Sequence, residues 1–309
     1  MACGYLATQQ MDRFLIAGGV ESMSRVPLGS DGGAWYLDPD VAIPVHYIPQ
    51  GVSADLIATL YGYSREDVDH YATLSHQRAH HATIQGYFHK SMIPVKDVIG
   101  NVILKEDETI RPDTSPETLA TLPPAFEKVG NEWGFNAVAL KKFPHLQSIH
   151  HVHHAGNSSG LADGAALVLL GTRETGALYG LKPRATIVSF AITGTDPTLM
   201  LLGPAPATRK ALKRARMEVS DIDLFEVNEA FASVVLYYMD ELKIPIEKVN
   251  VNGGAIAMGH PLGATGAMLL NILLDELERR DLEFGVVSMC IGGGMGIATV
   301  IQRVVNSHA

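Results

Sequence analysis

The sequence predicts an α/β fold, with mixed or parallel sheets covered by helices on both faces and an inserted domain in the middle, and three observations predict it. Past Gly160, short apolar runs alternate with segments of helical periodicity, the pattern of strands whose connections lie on the sheet faces. Between about Arg25 and His154 the alternation stops, and Pro, Gly, Asp and aromatic residues separate isolated helical pieces. The balance of 47% apolar to 18% charged residues over 309 positions is that of a globular chain long enough to bury substantial cores.

The elements follow in order. Residues 12–24 read DRFLIAGGVESMS, and the run 14–17 ending on Gly18-Gly19 predicts a buried strand entering a tight turn. Its place so near the first residue, with no earlier partner for a sheet, predicts that part of that sheet precedes it. Ser64 and Asp67 form a capping-box pattern ahead of Val68, Tyr71, Ala72, Ser75 and Ala79, which predicts a helix to Gly86. Ser115-Pro116 pairs an N-cap with a first-turn proline ahead of Leu119 and Leu122. Later strands are expected at 165–170, 185–192 and 224–227, and helices at 207–215, 229–242 and 263–279, with a glycine turn at Gly253-Gly254. Two last apolar runs, 285–290 and 296–304, flank a glycine-rich turn.

The formal charge of -9 argues against a nucleic-acid surface, which needs clustered Lys and Arg in excess. A phosphorylated small molecule remains compatible with it. Two cysteines, Cys3 and Cys290, with no zinc-like spacing, fit a reducing compartment. The first residues lack a basic n-region and a long apolar stretch, and no later apolar run is long enough to span a membrane, so a cytoplasmic protein is expected.

Three strand-to-turn junctions carry reactive side chains where open α/β sheets form their sites. His260 lies before Pro261 at a predicted helix N-terminus, whose dipole disfavours the imidazolium; it suits a base or an oxyanion donor, and equally a capping histidine. Cys290 ends an apolar strand before Gly292-Gly293-Gly294; it suits proton transfer beside exposed amides, and equally a buried structural thiol. Asn228 can orient a water or a carbonyl, or cap the next helix for about 1 kcal/mol. His150, His151, His153 and His154 lack the recurrent zinc spacing, and no metal site is expected. His76, His80 and His81 read as a solvated helix face.

Together these segments resemble the thiolase family. The resemblance rests on Ala17-Gly18-Gly19-Val20-Glu21-Ser22-Met23-Ser24, Gly156-Asn157-Ser158-Ser159-Gly160 with Asp163-Gly164-Ala165-Ala166, Asn228-Glu229-Ala230-Phe231, Asn252 through Pro261, and Cys290 with its glycines, in family order over nearly the whole chain. It implies a thiolase-like fold of two α/β halves plus an inserted loop domain, with the first half incomplete: residues 1–24 and 161–182 as its remnant, 25–160 as the loop domain and 183–309 as the second half. It also implies acyl transfer between coenzyme A esters through a cysteine thioester, in either the thiolytic or the condensing direction. In that pattern Cys290 matches the acid/base cysteine, and His260 the histidine that activates the nucleophile and stabilises an enolate oxygen. Asn228 matches the holder of an oxyanion-hole water, and the Gly292 N–H a donor to the acyl oxyanion. Ser159 and Phe231 match positions along the pantetheine tunnel. Acyl-CoA and coenzyme A are the implied ligands, as substrates rather than cofactors. The implied partners are other copies of the chain, as a dimer or tetramer, and an enoyl-CoA hydratase/dehydrogenase.

The sequence departs from the family in one place. The family's nucleophilic cysteine lies roughly two dozen residues before the Ala-Gly-Gly segment in a Cys-x-Ser-Gly context. Cys3 is 15 residues before Gly18 and is followed by Gly4-Tyr5, so it is expected to be a small buried residue on a helix remnant. The expectation is therefore a chain whose nucleophile lies upstream of residue 1, with two alternatives: a non-catalytic acyl-CoA or sterol-type binding homologue, and half of a split enzyme. The aromatic, Pro-containing stretch 35–47 is expected to shape the acyl pocket.

Overall fold

The computed structural model describes residues 2–8, 13–30 and 32–305. After a short helix α1 (Ala2–Thr8), the chain forms strand β1 (Leu15–Ser22), helices α2 (Gln50–Tyr61) and α3 (Arg65–Ile84), a small hairpin β2 (Val95–Lys96) and β3 (Val102–Leu104), and strand β4 (Asp163–Leu170). Then come β5 (Ala185–Gly194), α4 (Pro204–Ala215), β6 (Leu224–Val227), α5 (Ala232–Leu242), α6 (Ala255–Met258), α7 (Leu262–Arg279), β7 (Phe284–Ile291) and β8 (Met295–Arg303).

The larger sheet has the order β5-β8-β7-β6, with β6 parallel to β7 and the other pairs antiparallel. Its strands alternate side chains between two cores. Phe225, Val227, Val286, Ala298 and Val300 face α4 and α5, and pack with Ala205, Ala211, Leu212 and Val235. Leu224, Val287 and Ile301 face the other way, onto Leu269, Leu273 and Leu277 of α7. Those three leucines recur every four residues, one stripe of a helix. The mixed sheet covered on both faces is as the sequence predicts.

α7 also carries the second sheet on its opposite side, an antiparallel pair of β1 and β4 running from Leu15 opposite Leu170 to Ser22 opposite Asp163. Two expectations change here. Gly18-Gly19 forms no turn, because β1 runs straight through it; a Cβ on Gly19 would lie 2.1 Å from the Gly263 carbonyl oxygen, so glycine serves close approach of strand to helix. Nor are 14–17 and 165–170 buried strands. One face rests on α7, and alternation puts Ile16 (69% exposed), Val20, Leu167 (61%) and Leu169 on the other. Asp163 ties the ends of this sheet together by accepting from Ser24 N (2.9 Å) and Ser24 Oγ (2.5 Å).

The middle segment shares its core with the second half. Ser64 caps α3 with the predicted reciprocal box, and Ser115 caps a helix at Pro116–Ala120. Val52, Ala54, Leu56 and Ile57 of α2 are buried with Met200, Leu201, Phe231, Val234 and Cys290. The Ser53 hydroxyl donates to the Leu199 carbonyl (2.7 Å).

Candidate active site

The site forms where β6 and β7 end side by side. Val227 is in register with Ser288, and Asn228 N donates to Ser288 O (3.0 Å), so Asn228 and Cys290 leave the carboxyl ends of adjacent parallel strands. The helix expected from 229 begins instead at Ala232, and Asn228 does not cap it; Phe231 holds the cap position in extended conformation. Glu229 is the physical reason. Its buried carboxylate accepts from Tyr71 Oη (2.7 Å), Ser75 Oγ (2.7 Å), Asn250 Nδ2 (3.1 Å) and Ile256 N (3.0 Å), which holds 228–231 out of the helix.

Residues 157–160 thread between this segment and the one leading to His260. Ala232 N donates to Asn157 O (3.1 Å), Ser159 N to Ala230 O (3.0 Å), Gly160 N to Ala255 O (3.4 Å) and His260 N to Gly160 O (2.9 Å). Three motifs distant in sequence thus become one backbone-bonded unit.

Within it the protons of His260 can be counted. Thr265 Oγ1 lies 2.8 Å from the Pro261 carbonyl, to which it can donate, and 2.7 Å from His260 Nδ1, an arrangement that suits Nδ1–H donating to the hydroxyl oxygen. Nε2 then keeps its lone pair and accepts from Asn228 Nδ2 at 3.3 Å. Burial lowers the imidazole to about 4, against the opposing charge of Glu21, so the ring is neutral near pH ~7. Glu21 is itself anchored by Gly263 N (3.0 Å). Asn228 Oδ1 is buried without a protein hydrogen-bond partner.

Cys290 is buried, and burial pushes its thiol up to about 12. Ile291 pairs with Met295 across the turn Gly292-Gly293-Gly294, where Gly293 (φ +87°) and Gly294 (φ +85°) adopt left-handed backbone that favours glycine. Phe231 is buried, with its ring edge-to-face against Phe126 (5.9 Å) and His153 (5.5 Å). Ser159 is half-buried next to it, and Cys3 is half-buried on α1.

The histidine-rich stretch turns inward. His151 Nδ1 and His153 Nδ1 lie 2.6 and 2.7 Å from the fully buried Asp55, which also accepts from Val152 N and His153 N. Burial alone would raise the Asp55 carboxyl, but these donors hold it below its ordinary range. His154 Nε2 meets Asp69 at 2.8 Å. Among the described residues no group of three or more His, Cys, Asp or Glu is arranged to hold a metal ion. His76 is buried rather than solvated and accepts from Arg111 N (3.1 Å), because α3 turns that face toward the segment around Arg111. Sequence reasoning missed Thr265, Asp55 and the anchoring role of Glu229. Only Thr265 had a local signal, a hydroxyl in the first turn of the helix that follows His260. No helix among the described residues is long and apolar enough to cross a membrane.

Comparison with known proteins identifies the family and the fold. Residues 1–141 match the family model described as "Thiolase, N-terminal domain" and residues 181–303 that of "Thiolase, C-terminal domain". The 3-ketoacyl-CoA thiolase of Klebsiella pneumoniae is 43% identical over 297 residues, 94% of this chain and 71% of the relative. That of Bacillus subtilis is 42% identical over 302 residues, 93% and 71% of the two chains. Among solved structures, human mitochondrial 3-ketoacyl-CoA thiolase in complex with CoA superposes with a TM-score of 0.80 at 35% identity, over 98% of this chain and 74% of that one. The dimeric peroxisomal thiolase of Saccharomyces cerevisiae gives 0.82 at 35% identity, over 97% and 71%.

Proposed function

This chain belongs to the thiolase family of acyltransferase enzymes, and on that premise we propose that its site performs thiolytic cleavage of a 3-ketoacyl-CoA, or the reverse condensation, through a cysteine acyl-enzyme. The observation that carries this reading is that Asn228 and Cys290 leave adjacent parallel strands, with His260 Nε2 3.3 Å from Asn228 Nδ2. Burial disfavours the imidazolium of His260 and the thiolate of Cys290, which suits the first to accept a proton and the second to give one.

In cleavage, a thiolate attacks the 3-keto carbon, having passed its proton to His260 Nε2. The C2–C3 bond then breaks, leaving a thioester on the enzyme, and the enolate of acetyl-CoA takes the Cys290 proton. The thiol of coenzyme A passes its proton to the Cys290 thiolate and attacks that thioester; the C–S bond to the enzyme breaks, the shortened acyl-CoA leaves, and the departing enzyme thiolate takes back the proton held on His260. His260 Nε2–H and a water on Asn228 stabilise the enolate oxygen, and the Gly292 N–H the acyl oxygen. Ser159 and Phe231 line the approach of the pantetheine arm. Coenzyme A esters are substrates here, and the scheme uses no resident cofactor.

Neither cysteine of the chain suits the attacking role. Cys290 is held protonated by burial, and the Gly4-Tyr5 context and spacing of Cys3 differ from the nucleophile's. The acyl-accepting thiol is therefore assigned to a cysteine outside these residues, from the same protein or another chain. A homo-oligomeric, cytoplasmic enzyme working with an enoyl-CoA hydratase/dehydrogenase is the setting we assign it. The dimeric yeast relative supports the first of these, and the bacterial relatives the second.

Incubation with isotope-labelled acetoacetyl-CoA and mapping of the adduct tests the assignment. The expected result is binding of the ester without a stoichiometric thioester or turnover, and turnover once a segment bearing Cys-x-Ser-Gly is supplied. A stoichiometric thioester on Cys3, with turnover lost in Cys3→Ala, would overturn it. Binding that never leads to turnover even with that segment would favour the non-catalytic alternative.

A further inference from the structure

Two side chains, both from the inserted segment, stand over the Gly292-Gly293 turn. A Cβ on Gly292 would lie 3.6 Å from Trp35 Cζ3 and 3.5 Å from Gln50 Nε2, and one on Gly293 would lie 3.7 Å from Trp35 Cη2. The indole thus rests over the turn with room for little more than a methyl group between. It is braced from behind. Tyr47 meets it edge-on with centroids 5.0 Å apart, and Phe135 meets Tyr47 in the same manner at 6.2 Å. Trp35, Tyr47 and Phe135 pack against the apolar cluster that holds Cys290, Met200 and Ile48.

The interaction geometry matters for whatever lies on the Gly292 amide. An acyl carbon whose oxygen accepts from that N–H sends its chain away from the turn, and the indole is the aromatic surface lying over that peptide. Rings carry few rotatable bonds, and edge-to-face packing favours their relative orientation, so Trp35 behaves as a wall rather than a flexible flap. A short chain fits beside such a wall. A long one must displace the indole together with the rings that brace it.

Resting on the acyl-CoA reading of this site, we propose that Trp35 is a specificity-determining residue that closes the acyl pocket beyond Gly292 and restricts the protein to short-chain 3-ketoacyl-CoA substrates. No part of the assignment requires turnover, so it can be read from binding by the full chain.

The experiment is calorimetric titration with coenzyme A, acetoacetyl-CoA and 3-ketodecanoyl-CoA. The wild type is expected to bind acetoacetyl-CoA more tightly than 3-ketodecanoyl-CoA. Trp35→Ala is expected to shift that preference toward the longer ester by roughly tenfold or more, within the range by which apolar pockets discriminate chain length, and to leave coenzyme A affinity unchanged. Trp35→Phe keeps a smaller ring and should fall between; if thermal melting shows Trp35→Ala unfolded, the phenylalanine variant carries the comparison. Trp133→Phe leaves Trp35 as the only tryptophan of two, and its fluorescence should respond to acetoacetyl-CoA and not to coenzyme A. An unchanged chain-length preference in the folded variants, or equal wild-type affinity for both esters, overturns the role of Trp35 while leaving the acyl-CoA reading intact. Failure of every coenzyme A compound to bind the wild type overturns both.

Discussion

Thr265 Oγ1 lies 2.7 Å from His260 Nδ1 and 2.8 Å from the Pro261 carbonyl, so with its own proton on that carbonyl the threonine accepts from the ring. A side chain five residues along, in the first turn of α7, thereby determines which nitrogen of His260 is the base. The imidazole has two neutral tautomers of similar intrinsic energy, and this hydrogen bond favours the one whose Nε2 lone pair faces Asn228 Nδ2.

Thr265→Ser should preserve that selection and Thr265→Val should lose it. Nitrogen chemical shifts of labelled His260 are expected to report an Nδ1–H ring in the wild type and the serine variant, and a mixture in the valine variant. In enzyme with its nucleophile supplied, the valine variant should lose about tenfold or more in rate, part of the roughly 10²–10⁴ that a positioned acid/base contributes. An unchanged spectrum in Thr265→Val would remove the threonine from this role.

Two histidines link stability to pH. Burial lowers both His260 and His76 to about 4, with Arg111 adding to the effect at His76. Below about pH 6.5 the unfolded chain binds protons at these positions that the folded chain refuses, so stability falls as pH drops from about 6.5 toward about 4. Urea midpoints measured across that window should decline, and decline less in His76→Asn. A flat profile would show that neither ring is depressed.

Cys290 offers a chemical test. With its thiol pushed up to about 12, alkylation by iodoacetamide should be slow at neutral pH and should accelerate toward strongly alkaline solution. In enzyme with its nucleophile supplied, Cys290→Ala should still load an acyl group yet lose the carbon–carbon bond step by roughly 10²–10⁴-fold. Equal loss of both half-reactions in a folded variant would withdraw the proton-transfer assignment.

Asp55 anchors the stretch that leads into residues 157–160. Asp55→Ala strips two imidazole N–H groups and two backbone amides of their shared acceptor in a fully buried place. A loss of about 3–5 kcal/mol in urea unfolding is expected, the usual cost of removing one partner from a buried charged network. A loss below about 1 kcal/mol, the scale of an exposed pair, would mean that the network is dispensable.

The sequence by itself determined the local elements of the second half and the identity of the family. The bounds of β6, the helix through Leu273 and the glycine turn after Cys290 follow from periodicity and backbone freedom, both short-range properties. The motif residues were legible because reactive side chains stand at strand ends next to glycines. What only the tertiary structure decided concerns groups that meet across long sequence distance. The Gly18-Gly19 pair resembles a turn in one dimension, and becomes a straight strand because Gly263 of α7 approaches it. The histidines near residue 153 resemble a ligand cluster, and become donors because Asp55 and Asp69 arrive from elsewhere. His260 could be either tautomer until Thr265 meets it, and Trp35 is one aromatic residue among several in a stretch expected to shape the acyl pocket until folding brings it over Gly292, more than two hundred residues away. Burial is the common reason. A polar group removed from water must find whatever partner the fold supplies, and the fold, not the neighbouring sequence, chooses that partner.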